Sequence, residues 1–175
     1  VKRALEKKDL IIAQAIQALD DVDKTINLFM NRVREWYGIH FPELDRLLDK
    51  HETYARLAFK FGSKANLTVE KLEEVGIPKS KAQQIFKAAD ASMGADLTKA
   101  DLTQIQSLCK NVLELYQLRQ TLEDYLDSAM EEVAPNTKTI VGSLLGARLI
   151  ALAGGLTNLA IFPLCHFLAS CNNVC

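Results

Sequence analysis

Residues 5–37 read LEKKDLIIAQAIQALDDVDKTINLFMNRVREWY, with no glycine or proline in 33 positions. Leu5, Ile12, Leu19, Ile26 and Val33 recur every seven residues, and Ala15, Val22, Phe29 and Trp36 form a companion line. A seven-residue apolar repeat turns one stripe of an α-helix toward a partner helix. The spacing predicts one helix over about residues 3–37, roughly 50 Å long at 1.5 Å per residue. Gly38 and Pro42 are expected to end it.

A second run of the same kind lies further on. Leu108, Leu115, Leu122 and Ala129 repeat every seven, with Ile105 and Val112 beside them, which predicts a helix of matched length from about Thr98 to Val133. The segment between is punctuated: Gly62, Gly76, Pro78 and Gly94 bound three shorter helices expected at 43–60, 68–75 and 78–92. Two matched helices flanking a broken middle give an all-α chain, a long antiparallel coiled-coil hairpin with a helical tip at about 62–97. Such a hairpin is thin. Phe29, Trp36, Phe59, Phe61 and Phe86 are more aromatic surface than it can cover, so a second copy is expected to cover part of it.

Composition narrows the class without naming a function. The chain has 175 residues, 49% hydrophobic and 25% charged, which is globular composition. Net charge is −1, so the molecule as a whole is no electrostatic binder of nucleic acid. Residues 135–175 nonetheless carry two cations, Lys138 and Arg148, and no acid. Lys2, Arg3, Lys7 and Lys8 make a basic start, read as a solvated helix end. The opening residues have no apolar core or cleavage site of a signal peptide, and Val1 in place of Met points to a piece of a longer chain. Cys109 falls on an apolar helix face as a small buried group. Cys165, Cys171 and Cys175 crowd the end near His166, at a spacing that fits no zinc pattern. His40 and His51 lack a third ligand, and no nucleophile–base pair or phosphate loop occurs. The expectation is a protein that is not an enzyme, with no catalytic residues, cofactor or metal.

Ala134-Pro-Asn-Thr137 opens the last segment, which runs nearly apolar to Ala160 around Arg148. Asn136 is expected to cap a helix at 137–152, with Lys138 in its first turn as an anchor for phosphate. Gly142, Gly146 and Ala147 are poor helix formers that admit a close neighbour, another backbone or a ligand. The Arg148 guanidinium suits phosphate oxygens or a guanine edge, or else an internal pair with Glu131 or Glu132. Gly154-Gly155 ends the helix. A membrane helix is the competing reading of 139–162, on its length and the Gly142-x3-Gly146 pattern. Against it stand Arg148, which costs about 2.5–3.5 kcal/mol at mid-bilayer, and the Gly154-Gly155 break.

Several motifs together resemble one family. Glu35-Trp-Tyr-Gly-Ile-His-Phe-Pro-Glu-Leu44 is similar to the turn between helices in the Nop-family coiled coil. Ser92-Met-Gly-Ala-Asp-Leu97 with Asp101-Leu102 resembles the start of its return helix. Ala134-Pro-Asn136, Gly146-Ala-Arg148 and Ala153-Gly-Gly-Leu156 follow in the order of the Nop domain proper. The resemblance covers residues 1–163 and implies a core protein of archaeal box C/D small ribonucleoproteins. By that resemblance the coiled coil self-associates, and the Nop domain binds box C/D guide RNA together with a ribosomal-type kink-turn-binding protein. Asn136, Lys138, Gly146 and Arg148 are then the RNA-binding residues.

The resemblance also implies that the particle directs RNA 2′-O-methylation, with fibrillarin held only by an N-terminal domain expected before Val1. It further implies a cytoplasmic location in an archaeon or a nucleolar one in a eukaryote, and no membrane. The expected division is 1–133 coiled-coil hairpin, 134–163 partial Nop domain and 164–175 a Cys-rich tail. That tail departs from the family pattern as a shifted reading frame would, which predicts weak RNA binding by this chain. A coiled-coil scaffold without RNA binding is the alternative.

Overall fold

The structure, a computed structural model, describes residues 2–161, with side chains from Lys8 onward. Cys165, His166, Cys171 and Cys175 lie outside the described residues. The described part is all-α, with no strand among its residues. Its helices are α1 (Lys2–His40), α2 (Glu43–Leu47), α3 (His51–Phe61), α4 (Val69–Glu74), α5 (Lys79–Asp90), α6 (Lys99–Val133), α7 (Pro135–Val141), α8 (Ser143–Ala153) and α9 (Leu156–Ile161). A 3-10 turn at Lys64–Asn66 joins α3 to α4. The chain divides into two compact units, one of residues 1–22 with 119–175 and one of residues 23–118. No described helix is long and apolar enough to cross a membrane. The stretch 139–162 is broken at Gly142 and again at Gly154-Gly155, both with left-handed glycines.

The heptad reading of α1 is half right. Ile12, Leu19, Ile26 and Val33 are buried. The companion line is Ile16, Met30 and Tyr37 rather than Ala15, Phe29 and Trp36, and Trp36 is 44% exposed. Asp9 and Asp23 share that true line, so its apolar signal was diluted by two acids. In α6 the buried positions are Ile105, Cys109, Val112, Leu126, Met130 and Val133. The Leu108 line is only partly covered, because Arg119 and Glu123, paired at 2.8 Å, interrupt the better-buried one.

Two helix boundaries differ from expectation in the unit of residues 23–118. Gly38 does not end α1. Tyr37 and Phe41 are both fully buried, and the Phe41 amide still bonds the Tyr37 carbonyl, so the last turn is held despite the glycine. The helix expected at 43–60 is two helices, broken at Leu48–Lys50, where Leu48 and Lys50 are extended. The Arg34 guanidinium explains the break. One of its nitrogens donates to the Leu48 and Asp49 carbonyls at 2.8 and 2.9 Å, taking acceptors that a continuous helix would use. It also pairs with Asp45, donates from Nε to His51 Nδ1 at 3.1 Å and lies 4.7 Å over the Tyr54 ring. Arg34 thus satisfies two backbone carbonyls and closes the corner between α2 and α3.

Other ends follow their caps. Thr68 accepts from the Lys71 amide at the start of α4. Thr98 and Asp101 cap α6 reciprocally, each accepting from the other's backbone amide. His40, set aside by sequence as a metal ligand for want of a third group, is buried. Its Nε2 accepts from the Lys64 amide at 3.0 Å, so Nδ1 carries the proton and donates to the Ala95 carbonyl at 2.8 Å. Cys109 is buried as expected, and burial pushes its thiol up to about 12.

Two predictions follow from this unit. A Cβ on Gly94 would stand 2.0 Å from the His40 carbonyl oxygen, whereas one on Gly38 meets nothing within 4 Å. Gly94→Ala should therefore destabilise by about 3 kcal/mol or more, the upper end of overpacking costs. Gly38→Ala should stabilise by about 0.5–1 kcal/mol, the helix-propensity gain. Urea denaturation checks both. The second concerns His51, whose pKa lies below the ordinary 6.5 through desolvation and then the Arg34 charge, with Asp45 acting oppositely. Below about 6.5 the unfolded chain takes up this proton first. Stability from His51 is thus full above that pH and is lost as pH falls through the folded value. Between pH 7.5 and 5 the parent should lose more melting temperature than His51→Gln, and equal losses would contradict the Arg34–His51 bond.

Candidate nucleic-acid interface

The segment singled out by sequence packs within the unit of residues 1–22 and 119–175. Its core joins Ile12, Ile16 and Leu19 of α1, Leu126, Met130 and Val133 of α6, and Ala147 and Ile150 of α8. Pro135 opens α7 at its first position, where the missing N–H is no loss. Asn136 is therefore not the cap. Ala134 occupies that position without a side-chain bond, and Asn136 sits exposed in the first turn. Nor is there one helix over 137–152. Gly142, at φ 82° and ψ 168°, divides α7 from α8, a conformation closed to side-chain-bearing residues.

Lys138 is tethered. Its Nζ lies 2.9 Å from Asp127 Oδ2 and 3.0 Å from Glu131, and it also donates to the Asp127 carbonyl. Those carboxylates raise its pKa, Asp127 first and Glu131 second. Asp127 is in turn held below its ordinary value, first by the Ser143 hydroxyl and then by Lys138. Asp127 thereby holds the last turn of α7 and the first residue of α8 against α6 at once.

Gly146 is buried. A Cβ there would come within 2.7 Å of the Met130 methyl and 3.3 Å of Thr137 Cγ2, so this glycine lets α8 lie close to α6. Arg148 does not pair with Glu131 or Glu132. Its guanidinium donates to Asp20 Oδ1 at 2.6 Å, both side chains remaining about two-fifths exposed. Glu132 is instead paired with Lys8. Gly154 closes α8 in the left-handed conformation, and the Gly155 amide reaches back to the Ile150 carbonyl at 2.9 Å.

Asn136, Lys138 and Arg148 thus reach the surface, and Gly146 does not. Sequence reasoning missed Asp20 and Asp127, the acids that hold the two cations. Asp20 is 128 residues from Arg148, and Asp127, only 11 before Lys138, lies on the other side of a helix break, so no helical spacing links either pair.

Comparison with known proteins bears on the same segment. The family model described as "snoRNA binding domain, fibrillarin", the Nop model, matches residues 18–169, past Pro163 and into the segment set apart as a tail. Nucleolar protein 56 of Mus musculus is 46% identical over 166 residues, covering 93% of this chain and 29% of its own length. An uncharacterised NOP5 family protein of Methanocaldococcus jannaschii is 45% identical over 163 residues, 93% of this chain and 39% of its own. Nucleolar protein 58 of Aspergillus clavatus is 44% identical over 163 residues, 93% and 27%. The chain therefore spans between about a quarter and two fifths of the length of these relatives. With the family model matched over most of its length, the chain belongs to the Nop snoRNA-binding-domain family.

Proposed function

We propose that this chain is the RNA-binding and self-associating part of a box C/D guide ribonucleoprotein that directs RNA 2′-O-methylation, a scaffold with no catalytic residues of its own. The family match across residues 18–169 carries the reading. α7 and α8 meet guide RNA beside a kink-turn-binding protein, with Asn136, Lys138 and Arg148 in contact and Gly146 acting through packing. Fibrillarin docks through a separate domain. The division into a coiled-coil hairpin (1–133), a Nop segment (134–163) and a tail (164–175) belongs to the same proposal, as does a nucleolar setting in a eukaryote or a cytoplasmic one in an archaeon. Self-association through the hairpin covers Trp36 and Phe59, which are 44 and 39% exposed.

The ion pairs fit a site that awaits a stronger anion. A pair as exposed as Arg148–Asp20 contributes about 0–1 kcal/mol, so exchanging Asp20 for a phosphate is cheap. The pair meanwhile keeps a flexible guanidinium near one place, which lowers the ordering cost of binding. Lys138, with two carboxylates, is the harder cation to draw away.

Calorimetric titration with box C/D RNA and the kink-turn-binding protein tests this. Arg148→Ala should weaken assembly by about 1–3 kcal/mol, the range for a charge-assisted contact, with the melting temperature nearly unchanged. Asp20→Asn should strengthen it by weakening the hold on Arg148, and Lys138→Ala should weaken it less than Arg148→Ala. If neither Arg148→Ala nor Asp20→Asn alters affinity, the pair is structural and the chain is a scaffold without RNA contact at α8.

A further inference from the structure

We propose that the outer face of α5, in the other unit, is a second contact for RNA, a track for a single-stranded segment with phosphates on Lys79 and Lys87 and a base on Phe86. This goes beyond the guide-RNA reading of α7 and α8 while sharing its premise that the chain works on RNA.

Cations elsewhere in this unit are mostly spoken for. Lys60 pairs with Glu74, Arg56 with Glu52 and Arg34 with Asp45, while Lys64 and Lys71 donate to the Gly94 and Asn66 carbonyls. Lys79, Lys81 and Lys87 differ in falling together on one helix. Among the described residues none of the three has an ion pair or side-chain hydrogen bond, as is also true of the scattered Arg46, Lys50 and Lys99, whereas the unit's eight other cations each have a partner. Glu70 and Glu73 on neighbouring α4 reach none of them, and the first turn of α5 holds no acid.

The arrangement on the helix is directional. Ala82 and Ile85 are fully buried, which fixes the opposite face toward solvent. Lys79, Gln83 and Lys87 stand four residues apart on that face, so the two ammonium groups rise from points about 12 Å apart. Phe86, 42% exposed, flanks this line. Ser80 and Gln84 add polar groups on its other side, and Asp90 alone is acidic, one turn beyond Phe86. Cations beside an accessible aromatic ring suit a single strand, whose phosphates and unstacked bases are both available. An acidic protein would use the lysines and leave Phe86 idle. α5 is held by contacts with α4 and α2, so the track is presented on a packed element.

The test uses the full chain and a uridine oligomer of about 20 nucleotides. Lys79→Ala/Lys87→Ala should reduce affinity about tenfold near 0.1 M salt and flatten the log affinity–log salt slope by about 1.4, roughly 0.7 for each phosphate lost. Ultraviolet crosslinking should join uridine to Phe86 in the parent and fail in Phe86→Ala. Alanine favours helix, so circular dichroism should confirm intact folding. An unchanged slope, or crosslinks only outside α5, would overturn the proposal and leave solvated lysines. So would equal losses of oligouridine and polyglutamate binding, which would assign the face to an acidic protein. The two RNA readings separate cleanly. If Arg148→Ala leaves structured-RNA binding intact while the lysine variant still flattens the uridine slope, only the α8 site falls. The reverse result removes only α5.

Discussion

The approach of α8 to α6 at Gly146 governs everything built on it. A side chain at that position would push aside the flexible Met130 methyl and crowd Thr137, so glycine lets Ala147 and Ile150 join Leu126 and Met130 without repacking. Protein interiors fill space at crystal-like density, and a face of small residues is the means by which two helices come close. Once α8 is seated, Arg148 falls beside Asp20 and Ser143 beside Asp127. The surface chemistry of the segment is thus a consequence of packing beneath it. The glycines that made the stretch resemble a membrane helix serve this packing and the two breaks.

Long-range pairing decided most of what the sequence could and could not reveal. The two long helices were legible because seven-residue spacing over five heptads is redundant, and no single residue alters the reading. Which companion line is buried was not, since Asp9 and Asp23 lie in the real one. Closure at Gly154 was legible because its signal is local. The break at Leu48–Lys50 was hidden because its cause, Arg34, sits on another helix. Asn136 misled for a related reason: Pro135 just before it takes the first helical position, which moves the helix start by two positions.

The cations of the α7–α8 segment show the same limit. Residues 135–175 hold Lys138 and Arg148 and no acid, which reads as a basic module. In the fold, Asp127 and Glu131 come to Lys138 from the end of the preceding helix, and Asp20 comes to Arg148 from 128 residues away. The segment is basic in composition and close to neutral in place. Any anion that reaches Lys138 or Arg148 must compete with a carboxylate already in contact.

Asp9 carries a further consequence. It is buried in α1, one oxygen accepts from the Leu156 amide at 2.9 Å and the other has no partner. That bond closes a loop of 147 residues. The unit it belongs to draws on residues 1–22 and 119–175, while residues 23–118 form the other unit without interruption. A chain made from its N-terminus completes the inner unit first, since all its contacts are already synthesised. The opening turns of α1 must wait, their apolar face uncovered, until α8 and α9 emerge. Synthesis order therefore makes the unit of residues 1–22 and 119–175 the later of the two to assemble.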